Sequence, residues 1–186
     1  MQFKFAFVFS LLTSALAAPC DVDTRGLSKR ALSAQSYSQF QVSSGVGGNA
    51  LAEVQAKFPA TNSFHKQVDE NNLASVSAAD LAIIKAARQT AEDAETKAGG
   101  FNEAIKAAGG TKTTAGAALQ VGKIKNKVLK LKLFTLAMQI EQAKGGKDNS
   151  AKIAEETKKL NKNIELDKAA AGQKSTSVNF QGTSQP

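Results

Sequence analysis

One segment, Thr113 to Lys144, constrains the fold more than any other part of the chain. On a wheel at about 100° per residue, Val121, Ile124, Val128, Leu131, Thr135 and Met138 form one stripe. Leu129, Leu133, Leu136 and Ile140 form a second on nearly the opposite side. A helix on a protein surface carries one such stripe. Two stripes predict a helix covered on both sides, the central member of a bundle. Between them Lys123, Lys127 and Lys130 share one strip, and Lys125 and Lys132 share the other.

The flanking segments supply its neighbours. Asn49 can cap a helix that stops before Pro59, with Leu51, Val54 and Phe58 on one face. Ala60 to Val76 is polar and reads mostly as loop. Ser77-Ala78-Ala79-Asp80 has the spacing of a capping box. Behind it Ile84, Ala87, Ala91, Ala94 and Ala98 make a heptad seam, ended by Gly99-Gly100. Its small side chains let a neighbouring helix come close. A short helix over Asn102 to Ala108 follows, closed by Gly109-Gly110. After Asp148-Asn149-Ser150, Ile153, Thr157, Leu160 and Ile164 form the seam of a last helix that Gly172 ends. The prediction is an all-α bundle of about four main helices with a long central one.

The ends alternate instead. Gln39-Phe40-Gln41-Val42 and Ser177-Val178-Asn179-Phe180-Gln181 both have the period of a short strand. They could pair as a two-stranded ribbon resting on a helical face, or stay free as two polar tails. The domain plan is then an arm over 31–48, a bundle over 49–172 and a tail over 173–186.

Ahead of the arm, Lys4, the apolar run Phe5 to Leu16 and the small-x-small triplet Ala15-Leu16-Ala17 have the layout of a secretory signal, 1–17, cut after Ala17. The run is shorter than the roughly 20 apolar residues that span a bilayer, so no transmembrane segment is expected. Residues 18–30 read as a propeptide ending in the dibasic pair Lys29-Arg30, a kexin-type processing signal. Cleavage there would remove Cys20, the one cysteine of 186 residues. The mature chain would keep 20 basic and 14 acidic residues, a net +6, and would rely on its core without disulfides.

That inventory excludes much chemistry. One His and one Cys cannot build a zinc site, and His65 sits in a polar stretch with no catalytic partner. Gly109-Gly110-Thr111-Lys112-Thr113-Thr114 lacks the Gly before Lys, and the leading strand, that a phosphate loop needs. Glu92/Glu95 and Glu155/Glu156 are adjacent or one turn apart on Lys-rich helices, not facing across a cleft as a glycosidase requires. No catalytic residue, metal or cofactor is expected. Lys123, Lys127 and Lys130 are candidate contacts to a polyanion or acidic surface, with a solvated face as the plainer account. Nucleic acid is not expected, since Arg88 is the only arginine after the propeptide.

Several stretches carry a resemblance: Tyr37-Ser38-Gln39-Phe40-Gln41, Gly48-Asn49-Ala50-Leu51-Ala52-Glu53-Val54, Gly122-Lys123-Ile124-Lys125-Asn126-Lys127-Val128-Leu129-Lys130-Leu131 and Leu160-Asn161-Lys162-Asn163-Ile164. With the signal and dibasic layout, the chain resembles the small secreted proteins of filamentous fungi, a group that includes candidate effectors. The resemblance implies secretion and a role at a host or cell-wall surface. Many effectors of that group are Cys-rich, and this chain is not. The expectation is a secreted, non-enzymatic interaction protein, with an extracellular carrier of a lipid or other apolar ligand as the alternative.

Overall fold

The computed structural model describes residues 32–58 and 72–185. Ala17, Lys29 and Arg30, expected as processing positions, and His65 lie outside the described residues. The chain folds as a helical bundle with one small antiparallel ribbon. Its elements are α1 (Tyr37–Phe40), β1 (Gly45–Val46), α2 (Ala50–Lys57), a 3-10 turn (Leu73–Ser75), α3 (Ala78–Thr96), α4 (Phe101–Ala107), α5 (Thr114–Ala143), α6 (Ser150–Ala169) and β2 (Lys174–Ser175).

The doubly striped helix is at the centre. α5 packs against α2, α3, α4, α6 and β2. Val121, Val128, Leu131, Thr135 and Met138 are buried on one side and Leu129, Leu133, Leu136 and Ile140 on the other, with Ile124 half-buried. Burying a side chain such as Leu133 contributes about 2–3 kcal/mol. From α3, Ile84, Ala87, Ala91 and Ala94 are buried in one seam. Ala98 is not part of it. The helix stops at Thr96, and Ala98 is exposed in the turn that Gly99, at φ +75, swings toward α4.

α6 departs from its expected seam. Of Ile153, Thr157, Leu160 and Ile164 only Leu160 is buried; the others are half-buried. The buried stripe is Glu156, Leu160, Asn163 and Asp167, again at heptad spacing but largely polar. Glu156 and Asn163 bond within α6, to Lys152 and Lys159 and to the Lys159 carbonyl, whereas Asp167 reaches another element. Both oxygens of Asp167 accept amides at the start of α2, from Gly48 (2.9 Å) and Ala50 (2.8 Å). Asp167 thus supplies the cap expected of Asn49, whose side chain makes no capping bond.

The chain ends do form a ribbon, though not from the alternating residues. β1 pairs antiparallel with β2, Gly45 opposite Ser175 and Val46 opposite Lys174. Tyr37–Phe40 is a helical turn. The reason is spatial: Tyr37 and Phe40 are both fully buried, and residues three apart share a face in a helix but not in a strand. Gln39 accepts the amide of Ser36 at 2.9 Å and starts the turn. Ser177 to Gln181 has no strand pairing, yet Val178 and Phe180 pack against the core. The edges of Phe180, Tyr37, Phe40 and Phe58 meet in a chain, with centroids 5.9, 5.6 and 6.0 Å apart.

Arm and tail meet again further out. The Tyr37 amide donates to Gly182 (2.7 Å) and the Ser184 amide to Gln35 (2.7 Å). The tail crosses α5 at Gly122, where any Cβ would run into the Thr176 carbonyl, and the Thr176 amide donates to Ala118 (3.0 Å). At the start of α3, Ser77 accepts the Asp80 amide at 2.9 Å, as a cap should. The Asp80 carboxylate accepts the Leu32 amide at 2.6 Å and ties down the arm.

Candidate functional site

Helical geometry leaves α5 a third face, bearing Lys127, Lys130 and Phe134. α3 and α6 flank it, and together they enclose an open groove of about 540 Å³. Its cations are Arg88 from α3, Lys127 and Lys130 from α5, and Lys158, Lys159 and Lys162 from α6. Its carboxylates are Glu92 and Glu156, and Leu131 and Phe134 form an apolar floor. A second hollow of about 510 Å³ continues past Arg88 and Phe134, lined by Ala82, Ala86, Ala137 and Met138 with Lys85 and Glu141.

Each cation is held differently. Arg88 lies over the Phe134 ring, 4.4 Å from its centroid, and 3.4 Å from Glu92. Lys130 reaches Glu95 at 2.6 Å and Glu92 at 3.4 Å, and Lys127 is 3.9 Å from Glu95. Lys159 bridges Glu155 (2.7 Å) and Glu156 (3.0 Å), while Lys152 reaches the same two carboxylates. Those hydrogen bonds, from Lys152 first and then Lys159, hold the Glu155 carboxyl at about 2. Burial pushes Glu156 up, but bonds from the same lysines outweigh it and its pKa is lowered. Lys158 is exposed, and Lys162 lies 3.7 Å from Glu165 with both side chains in solvent.

Of the three lysines singled out from the sequence, two line this groove. Lys123 does not; its ammonium donates to Asn102 of α4 at 2.7 Å. The α6 lysines, Arg88 and Phe134 were not singled out. A usable signal existed: Lys127, Lys130 and Phe134 step by helical spacing on a face left outside both apolar stripes. The α6 wall is a tertiary contribution, brought in when the chain reverses through Gly145, at φ +80, and Gly146.

The other lysine strip contains a surprise. Lys125, placed by periodicity at the surface between stripes, is completely buried. Its ammonium spends its three donors on the carbonyls of Ser44 (3.0 Å) and Val46 (2.9 Å) and on Glu53 (3.0 Å). Nearby in the interior, the Tyr37 hydroxyl donates to Asn126 (2.8 Å), whose amide donates to Ala91 (2.8 Å). These are anchors that join the arm to α5 and α3.

Glu92 and Glu156 face one groove, but a glycosidase needs a carboxylic acid with raised pKa, and that of Glu156 is lowered. The Gly109–Thr114 turn closes on itself, with Thr113 accepting the Gly116 amide at 3.0 Å and the Gly110 carbonyl packed where a Gly116 side chain would stand. Among the described residues no group of three or more His, Cys, Asp or Glu could hold a metal ion. No helix among them is long and apolar enough to cross a membrane.

A family model described as a domain of unknown function, DUF8454, matches residues 32–179, and the chain belongs to that family. No curated protein and no solved structure matches it.

Proposed function

We propose that this DUF8454 protein is a secreted, non-enzymatic interaction protein acting outside the producing cell, at a host or cell-wall surface, in the manner of the fungal candidate effectors it resembles. The basic groove over the third face of α5 carries this reading. It is a contact surface built from three helices, with cations on both walls and an apolar floor between them. The processing layout supports it too. The family match begins at residue 32, so the segments read as address and propeptide lie outside the matched domain.

The carrier alternative needs an apolar cavity lined by small residues. The Ala seam could have supplied one, but Ala87, Ala91 and Ala94 are fully buried against neighbouring helices, and the hollow lined by Ala82, Ala86, Ala137 and Met138 lies open to solvent. That packing favours contact over cargo.

The test is affinity capture with mature residues 31–186 from host-tissue and fungal-wall extracts, at low and physiological salt. Specific capture at physiological salt is expected. Capture of nothing at either salt, or hydrolysis of a wall polymer that a carboxylate substitution abolishes, overturns the reading. Mass spectrometry of the secreted protein is expected to give Ala31 as its first residue; a product starting earlier removes the maturation step.

A further inference from the structure

The groove is not a uniformly positive trough. Six cations line it, yet Glu92 stands on the α3 wall and Glu156 on the α6 wall, and the floor between them is the apolar pair Leu131 and Phe134. A polymer with a negative charge on every repeat would meet both carboxylates as well as the lysines. A ligand of mixed composition can set its carboxylates against the lysines and leave neutral or donor groups opposite the glutamates. A bilayer surface fits worse still. The cations lie in a concavity, and among the described residues the exposed large apolar side chains are Val46 and Leu166, neither of which lines the groove.

Resting on the interaction reading above, we infer that the groove docks an acidic peptide segment of a partner protein, carrying an apolar side chain between its carboxylates. The apolar side chain sits on Leu131 and the Phe134 ring, whose other contact is the Arg88 guanidinium. The carboxylates meet Lys158 and Lys162, the two lysines on one wall with the least internal pairing. Lys127 to Phe134 spans about 10 Å of helix, the length of roughly three to four extended residues. A short linear segment therefore suffices.

The probe is a fluorescein-labelled peptide, Glu-Glu-Phe-Leu-Glu-Glu, with its Gln-for-Glu counterpart, titrated by mature 31–186 and followed by anisotropy. The double variant Lys158→Glu/Lys162→Glu is compared with Lys112→Glu/Lys147→Glu, which makes the same change in net charge at exposed positions outside the groove. Matched thermal melts establish that both variants fold. Binding of the acidic peptide is expected to weaken about tenfold or more in the groove variant and less than about twofold in the control, with the Gln peptide about tenfold weaker on wild type. Phe134→Ala is expected to cost about threefold.

Equal weakening in the two double variants overturns the inference, since net charge would then explain the binding. So does tighter binding of polygalacturonate or phosphatidylserine vesicles than of the peptide. If the groove variant still captures the wild-type partner from extracts, the groove assignment fails and the interaction reading stands. If wild type captures nothing, the interaction reading itself fails.

Discussion

The α3–α5 interface and the junction of the two chain ends are held by opposite means. The first is apolar and close-packed, Ile84, Ala87, Ala91 and Ala94 against the buried stripes of α5. The second joins an aromatic contact, Phe180 on Tyr37, to a set of buried polar bonds. Lys125, Asn126, Asp167 and Ser175 are all buried, each bonded to a residue far away in sequence; Ser175, for example, donates to the Ser43 carbonyl at 2.5 Å. Apolar seams can slide or exchange one heptad for another at modest cost. A buried ammonium with three fixed acceptors cannot. The comparison teaches a division of labour: the seams supply stability, and the polar anchors specify where the non-helical ends go.

The largest effect tests the apolar side. Leu133→Ala is expected to cost about 4 kcal/mol and Leu131→Ala, slightly exposed, about 3 kcal/mol, measured by chemical denaturation. An unchanged midpoint for either would mean that one face of α5 contributes nothing, and the central-helix account would fail.

Next comes the polar side. Lys125→Met keeps the stem and removes the ammonium, leaving two carbonyls and the partly exposed Glu53 unpaired, at an expected cost of about 2–3 kcal/mol. Amide exchange should accelerate in residues 43–47 more than in α3. Uniform acceleration would break the division of labour, because Lys125 would then be supporting the bundle rather than its ends. Asp167→Asn keeps one acceptor for α2 and loses the charge and the other, and about 1–2 kcal/mol is expected. A loss no larger than that of an exposed substitution such as Glu165→Gln would remove Asp167 from the anchors.

Smallest at neutral pH is Tyr37→Phe, which leaves Asn126 without its hydroxyl donor and should cost about 1 kcal/mol. Its value is in the pH profile. Burial pushes the Tyr37 hydroxyl up to about 12 from its ordinary 10.0, against smaller lowering from the nearby Ser43 and Ser177 hydroxyls. Above pH 10 the unfolded chain gives up a proton that the folded one keeps, so stability is intact below pH 10 and falls from there to about pH 12. The chain has one Tyr and no Trp, so tyrosinate absorbance reports this group alone. Absorbance that rises near pH 10 with the fold intact would show the ring to be solvated.

The same division explains what could be read in advance. The main helices, the two stripes of α5 and the Ala seam as far as Ala94 are local periodicities and were legible in advance, whereas the Tyr37–Phe40 turn and the polar stripe of α6 were not. Asp167 capping α2 joins positions 117 apart, and Lys125 meeting Val46 joins positions 79 apart; no window of sequence contains either pair. Lys125 and Asp167 looked like surface charges because nothing in their own helices marks them otherwise. The groove was half legible for the same reason. Lys127 and Lys130 lie on one helix, but the wall of Lys158, Lys159 and Lys162 exists only after the chain turns back at Gly145.

The pairing of arm and tail has a consequence for proteolysis. The Ser184 amide donates to the Gln35 carbonyl and the Gln35 amide donates to the Ser184 hydroxyl, and Ser184 is buried. Among the described residues, the segments at Gln35 and Ser184 cannot be drawn into the site of an exopeptidase without one lifting the other. A disulfide would give similar protection, but it persists in the unfolded chain and a reducing agent destroys it. This clasp is indifferent to redox conditions and exists only while the protein is folded. Trimming from the ends should therefore follow the opening of the clasp, and a chain that loses its fold loses its protection in the same step.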